Sequence, residues 1–226
     1  MTRGSDKEHS SSDALYQQRQ MEAIARRWNT KAGNWDRALE DPSCHLNEDR
    51  AYGRFLDQLS AIVRERAAFC RQNGVVDAGC ATGLVLAHII PGFAWGLGVD
   101  ISSEMISVAQ AKNIPKTRFV IGDCFNLPAL APKAGAVISR GVLLSHYGSA
   151  HAVDLLRSAF DTLLDGGFIL WDFLNEGGRT TAIHAPENKT YFDPHEVCEI
   201  ARRSGFSRAC SLLGSKRRVG LLLAER

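Results

Sequence analysis

Three carboxylates close three short apolar runs in the middle of this 226-residue chain: Asp77 after Val75-Val76, Asp100 after Trp95-Gly-Leu-Gly-Val99, and Asp123 after Phe119-Val-Ile-Gly122. The first lies inside a glycine turn, Val75-Val-Asp-Ala-Gly79-Cys-Ala-Thr-Gly83, and Asp100 follows Gly83 by seventeen residues. Buried strand, glycine turn, helix, second strand and terminal acid form the grammar of a nucleoside-cofactor site on a parallel sheet.

The position of Asp77 bears on which cofactor fits. A dinucleotide rests its pyrophosphate on the first helix N-terminus, with glycines spaced GxGxxG. Here the spacing is Gly79-Cys80-Ala81-Thr82-Gly83, the last glycine of that pattern is missing, and Asp77 adds a carboxylate close to where phosphates would lie. A cofactor with a cationic centre, such as S-adenosylmethionine, welcomes that carboxylate. Asp100 then suits the ribose hydroxyls, and Asp123 is placed to accept from the adenine amino group.

The elements that must position these residues can be read from periodicity. Met21, Ile24, Ala25 and Trp28 repeat as one helical face, and Tyr52, Phe55, Leu56, Leu59, Ile62 and Val63 as another, after Asn47 as N-cap. From residue 74 strands alternate with helices. Strands are expected at 75–78, 95–99, 118–121, 136–139 and 168–172. The helices between them run Leu84–Ile90, from a cap at Ser102 or Ser103 to Lys112, and from Ser149 to Leu164, the last stopped by Asp165-Gly166-Gly167. Asp193-Pro194-His195-Glu196 reads as a capping box for a further helix ending at Ser204-Gly205, and strands at 207–213 and 219–224 close the chain as a hairpin. The expected architecture is α/β: a Rossmann-like, doubly wound, seven-stranded, mostly parallel sheet with an antiparallel C-terminal hairpin strand and a helical N-terminal lid. Residues 1–13, polar and serine-rich, read as a disordered tail without the apolar core of a signal peptide. Residues 14–72 form the lid and 73–226 the cofactor-binding unit, within one domain overall.

At this point the chain resembles the class I S-adenosylmethionine-dependent methyltransferases, of the type acting on small molecules. The resemblance rests on the run 75–83, then Gly98-Val-Asp100-Ile-Ser102, Gly122-Asp123-Cys-Phe125, Ala136-Val-Ile-Ser-Arg140 and Leu163-Leu-Asp-Gly166-Gly167, in family order across residues 74–224. It implies S-adenosyl-L-methionine as cofactor, held by Asp77, Gly79, Cys80, Ala81, Gly83, Asp100, Ile101, Asp123, Cys124 and Phe125. Gly79 would let the backbone approach the methionine moiety, and Asp123, Cys124 and Phe125 would frame the adenine. Ala81 stands where the family often has glycine, and alanine is tolerated there if φ stays negative.

Methyl transfer needs position and a dry site, and a general base only when the acceptor must lose a proton. Candidates lie after the fourth strand. His146 is the natural base, with local packing as the competing role. Arg140 could bind a carboxylate of the substrate or of the cofactor's methionine end, or form a surface ion pair. Ser145 and Tyr147 stand beside it, and Asp172 and Asn175 could orient a substrate or satisfy loop backbone. Trp28-Asn-Thr-Lys-Ala-Gly-Asn-Trp35-Asp36 resembles the family's aromatic lid, where an indole near a sulfonium is sensible cation–π chemistry. Trp35 and Tyr16 are the lid candidates, and Trp28 reads as core.

Bulk properties frame this reading. Hydrophobic residues make up 45% and charged residues 23%, with net charge +2, so nothing drives the chain toward nucleic acid or membrane. Six scattered cysteines without a CxxC pair suggest reduced thiols in the cytoplasm and neither metal site nor disulfide framework. The expected partner is a small-molecule substrate, with a monomer or homodimer left open. Two other uses of the fold compete with methyl transfer. One is cyclisation of S-adenosylmethionine to azetidine-2-carboxylate with release of methylthioadenosine, in a pocket holding Tyr16, Ser145, His146 and Asp172. The other is a non-catalytic cofactor-binding module. Natural-product tailoring is the expected setting.

Overall fold

The computed structural model describes residues 22–40, 50–141, 143–179, 189–213 and 216–226. Seven strands, β1 (Val75–Ala78), β2 (Gly96–Asp100), β3 (Thr117–Ile121), β4 (Ala134–Ser139), β5 (Leu163–Leu174), β6 (Arg208–Leu212) and β7 (Val219–Glu225), form one sheet in the order β3-β2-β1-β4-β5-β7-β6. β1 to β5 run parallel, and β7 runs antiparallel between β5 and β6. The chain therefore reverses its direction of travel across the sheet between β1 and β4, which opens a crevice at their carboxyl ends.

Alternation along the strands divides the core in two. Val76, Ala78, Val137, Ile169, Trp171 and Phe173 face α8 (Ser149–Thr162) and α9 (Pro194–Arg203). Val75, Ala136, Ile138, Phe168 and Leu170 face the other way, toward α3 (Ala51–Glu65), α4 (Ala67–Gln72), α5 (Leu84–Ile89) and α6 (Ser103–Ala111). With both faces covered, β1, β2 and β4 are buried at every residue, so they read as near-continuous apolar runs interrupted by Asp77 and ended by Asp100 and Ser139.

The remaining helices are short: α1 at 22–29, α2 (Trp35–Glu40) after a 3-10 turn at Ala32–Asn34, and α7 (Leu127–Leu130). Periodicity does not reveal α2, α4 and α7, because one or two turns offer too few apolar positions to define a face. The disordered-tail reading of 1–13, the Asn47 cap and Tyr16 all fall outside the described residues.

Three local expectations are corrected. Asp165-Gly166-Gly167 does not end a helix: α8 stops at Thr162 and β5 starts at Leu163. The β4–β5 register jumps from Ala134↔Leu163 to Ala136↔Phe168, and Gly166 takes a φ of 77° in that irregularity. Ser149 is the first helical residue and not the cap; its Oγ donates to Glu196 Oε1 of α9 at 2.8 Å, and Gly148 holds the cap position. The capping box is consequently half made. Asp193 accepts from the N–H of His195 and Glu196 (2.7 and 3.4 Å), while the Glu196 carboxylate accepts from Ser149.

Candidate active site

The β1 turn is built from residues that tolerate left-handed backbone. Gly79 has φ 74° and Gly83 has φ 80°, and a side chain at Gly83 would strike the Phe119 ring at 2.6 Å. Ala81 lies in the same region, at φ 47°, which corrects the expectation of a negative φ. Its N–H donates to Asp100 Oδ2 at 2.9 Å, so the carboxylate at the end of β2 holds the turn in a conformation costing an alanine about 1–2 kcal/mol.

Asp100 Oδ1 accepts from the Ser102 N–H at 2.9 Å, and Ser102 caps α6 by accepting from Met105 N–H at 3.1 Å. Both Asp100 oxygens are thus oriented by backbone donors, while the side chain lines the main pocket. Burial pushes its pKa up, and the backbone hydrogen bonds from Ser102 and Ala81 oppose that. Asp123 accepts from Phe125 N–H at 2.9 Å as a cap and lines the same pocket. Gly79, Ala81, Ile101 and Cys124 also line it.

Asp77 behaves differently. It is 1% exposed, and its Oδ2 has no hydrogen-bond partner. Burial first, then the Asp100 and Asp172 charges, push its carboxyl up to about 8. It faces a smaller recess lined by Trp35, Tyr52, Gly79, Cys80, Ala81 and Arg140, which adjoins the main pocket. Arg140 stacks over the Tyr52 ring at 4.9 Å and borders both spaces. Burial raises the Tyr52 phenol to about 12 despite that guanidinium.

Across the crevice runs the loop after β4. Asp172 at the end of β5 accepts the Gly141 N–H with both oxygens, at 3.0 and 3.1 Å, which fixes the turn carrying Arg140. His146 and Tyr147 line the pocket, and Tyr147 meets Phe125 edge-on at 4.9 Å. His146 Nε2 contacts Lys189 Nζ, and its ring lies 5.7 Å from that of Trp28. Burial, then Lys189 and Arg27, pull the imidazole down to about 3, so it is neutral at physiological pH.

The lid is fastened at two points. Asn29 Oδ1 accepts from Ser102 Oγ at 2.6 Å. Asp36 pairs with Lys112 at 2.6 Å and accepts from the Thr82 hydroxyl, tying α2 to the glycine turn and to α6. This brings Ile24, Trp28 and Trp35 over the pocket, the two indoles edge-on at 5.4 Å.

The structure therefore gathers Asp100, Ile101, Asp123, Cys124, Gly79, Ala81, Arg140, His146 and Trp35 around one pocket, with Asp77 and Cys80 at its inner recess. Gly83 and Phe125 stand behind it as packing residues. Ser145 is fully buried away from it: its Oγ accepts from Leu174 N–H at 2.8 Å, and its carbonyl accepts from Thr190 N–H. Asn175 likewise serves backbone, donating to Arg217 C=O and accepting from Gly177 N–H. Sequence reading missed Tyr52, Met105, Leu143 and Lys189. Ile24 was visible as the i−4 neighbour of Trp28, but Lys189, a lone lysine in a polar stretch, gave no signal. Among the described residues no group of three or more His, Cys, Asp or Glu is placed to hold a metal ion.

Comparison with known proteins agrees with this geometry. Residues 75–167 match the family described as a methyltransferase domain. A dTDP-3-amino-3,6-dideoxy-alpha-D-glucopyranose N,N-dimethyltransferase from Streptomyces fradiae is 27% identical over 124 residues, which is 54% of this chain and 47% of that protein, so the match spans about half the relative's length. Magnesium protoporphyrin IX methyltransferase from Synechocystis, solved with bound S-adenosylmethionine, superposes with a TM-score of 0.69 at 21% identity, covering 91% of this chain and 96% of that one. A sugar N-methyltransferase from Streptoalloteichus superposes with a TM-score of 0.67 at 18% identity, covering 80% and 90%. Residues 75–167 thus belong to the methyltransferase domain family, and the chain has the fold of the class I S-adenosylmethionine-dependent methyltransferases.

Proposed function

We propose that this protein is an S-adenosylmethionine-dependent methyltransferase acting on a small molecule in secondary metabolism. The observation that carries the reading is Asp77, a buried carboxyl with an unpartnered oxygen at the switch point of the sheet. Such a group is costly alone and suits a cationic ligand. S-adenosylmethionine would supply a methyl group activated on a sulfonium.

In this reading Asp77 takes the cofactor's ammonium and Arg140 its carboxylate. Asp100, oriented by two backbone donors, takes the ribose hydroxyls, and Asp123 the adenine amino group. Ile101, Met105 and Cys124 give the base an apolar bed. Trp28 and Trp35 exclude water from the sulfonium and offer it aromatic faces. His146 borders the acceptor space as a neutral hydrogen-bond acceptor that orients the attacking group. The activities named for similar proteins, which include methylation of amino sugars, support a small acceptor and methyl transfer. The five cysteines among the described residues are free, which fits the cytoplasmic location included in this reading. Among the described residues no helix is long and apolar enough to cross a membrane.

The test is the product. Incubated with S-adenosylmethionine and a panel of small amines and hydroxy compounds, the protein is expected to form S-adenosylhomocysteine only when an acceptor is present, as read by mass spectrometry. Methylthioadenosine formed without acceptor would replace this reading with intramolecular cyclisation. Cofactor binding without turnover across the panel would indicate a binding module.

A further inference from the structure

Among the described residues that line the inner recess, Asp77 is the only acid and Arg140 the only cation. The backbone on either side of Arg140 is fixed. Ser139, the last residue of β4, is buried, and its Oγ donates to the C=O of Ala78 at the end of β1, 2.7 Å away. Gly141 has a φ of 126°, where a side chain would be strained, and its N–H donates to both Asp172 oxygens at the end of β5. The Arg140 backbone is therefore held from β1 on one side and from β5 on the other. Its guanidinium still hangs on a long chain of rotatable bonds, and that freedom has to be removed before the group can grip anything.

Tyr52 supplies the missing restraint. The Arg140 guanidinium carbon lies over the Tyr52 ring, 4.9 Å from its centre. Tyr52 is the second residue of α3 and heads the apolar stripe that continues through Phe55, Leu56 and Leu59. It packs both against the core beneath α3 and α5 and against the cluster of Ala32, Trp35 and Met105 under the lid, so the ring is held from two directions. Burial keeps the phenol neutral, and the ring offers Arg140 an aromatic face without a charge. A ring covers one face of a guanidinium and leaves its N–H groups pointing outward in the plane, where a carboxylate can meet two of them.

We propose that Tyr52 is a positioning residue: by stacking on Arg140 it aims the guanidinium at a carboxylate in the inner recess, and so makes the site select a cofactor that retains its amino-acid carboxylate. The inference rests on the S-adenosylmethionine reading for the identity of the ligand, and on the Tyr52–Arg140 stack for the selection. A Tyr52 that only packed α3 would influence every nucleoside ligand alike.

The test compares two sulfonium nucleosides that differ only in that group, S-adenosylmethionine and decarboxylated S-adenosylmethionine, each titrated into the full chain by calorimetry. The parent is expected to bind S-adenosylmethionine about a hundredfold more tightly than the decarboxylated form. Tyr52→Leu should lose about tenfold in affinity for S-adenosylmethionine and none for the decarboxylated form. Tyr52→Phe keeps the ring and should keep both affinities. Tyr52→Met, which fills the same space without a ring, carries the same expectation as leucine and replaces it if the leucine variant folds poorly. Equal losses for the two ligands, no loss for either, or a phenylalanine variant as weak as the leucine one overturns the positioning role. A parent that binds both ligands equally holds no carboxylate and overturns it too. A parent that binds neither refutes the cofactor reading, and this inference with it.

Discussion

The inner end of the pocket and the rim around His146 are built by opposite means. At the inner end two of the acids lie at or just past the end of a strand and backbone orients them: Asp100 by the N–H groups of Ala81 and Ser102, Asp123 by that of Phe125. At the rim nothing is local. Trp28 comes from the lid, His146 from the loop after β4 and Lys189 from the segment before α9, and side chains make the contacts. A ligand present in every reaction cycle can be held by backbone geometry. A ligand that differs from one methyltransferase to the next is better served by side chains on loops.

The sharpest way to break this division is at Asp100. Asp100→Ala removes the acceptor for two backbone donors as well as the proposed ribose contact. S-adenosylmethionine affinity in calorimetry is expected to fall about a hundredfold or more. An unchanged affinity would mean that the inner end is not the cofactor end.

At the rim, His146→Ala is expected to lower turnover about tenfold with cofactor affinity almost unchanged. Equal losses in both would erase the line between the two regions, and an unchanged rate would make His146 a packing residue of the lid.

A subtler effect concerns protons. Asp77 is raised from an ordinary 3.8 to about 8 without a cation beside it. Its folded pKa lies above its unfolded one, so its contribution to stability is present at low pH and is lost as pH rises through that window. Binding a cation should reverse the shift. S-adenosylmethionine affinity should therefore climb with pH up to about 8, with close to one proton released near pH 7, and Asp77→Asn should remove both effects. Parallel pH profiles for parent and variant would contradict the pairing.

The smallest effect is expected at Ala81→Gly. Relieving the left-handed alanine should stabilise the protein by about 0.5–1 kcal/mol, or roughly 1–4 °C in thermal midpoint. A loss of stability would show that the extra unfolded-state freedom of glycine outweighs the relieved strain, since the backbone N–H to Asp100 is kept in either case.

The same contrast explains what could be read from sequence. Asp77, Asp100 and Asp123 were legible because each follows a short apolar run, and strand, turn and acid lie within one window. The central strands were legible for the same reason, since both faces of the sheet are covered and β1, β2 and β4 are buried at every residue, whereas their order in the sheet was not read from the sequence. Ser145 shows the limit. It sits beside His146 in the chain, yet the 3-10 turn at Leu143–His146 directs it into the core toward Leu174 N–H. Lys189 shows the other limit, since only the return of the chain from β5 to α9 brings it against His146. Trp28 was read as core and in fact borders the pocket, because the core face of α1 and the roof of the pocket are one stripe.

The fastening of the lid has a kinetic meaning. Asn29 is bonded to Ser102, two residues past Asp100, and Asp36 to Thr82, within the glycine turn. The roof is thus latched to the floor on which the cofactor would lie, and the latch must release before anything nucleoside-sized can pass. Under the proposed function the expected order of binding is nucleoside first and acceptor second, which product-inhibition kinetics would read.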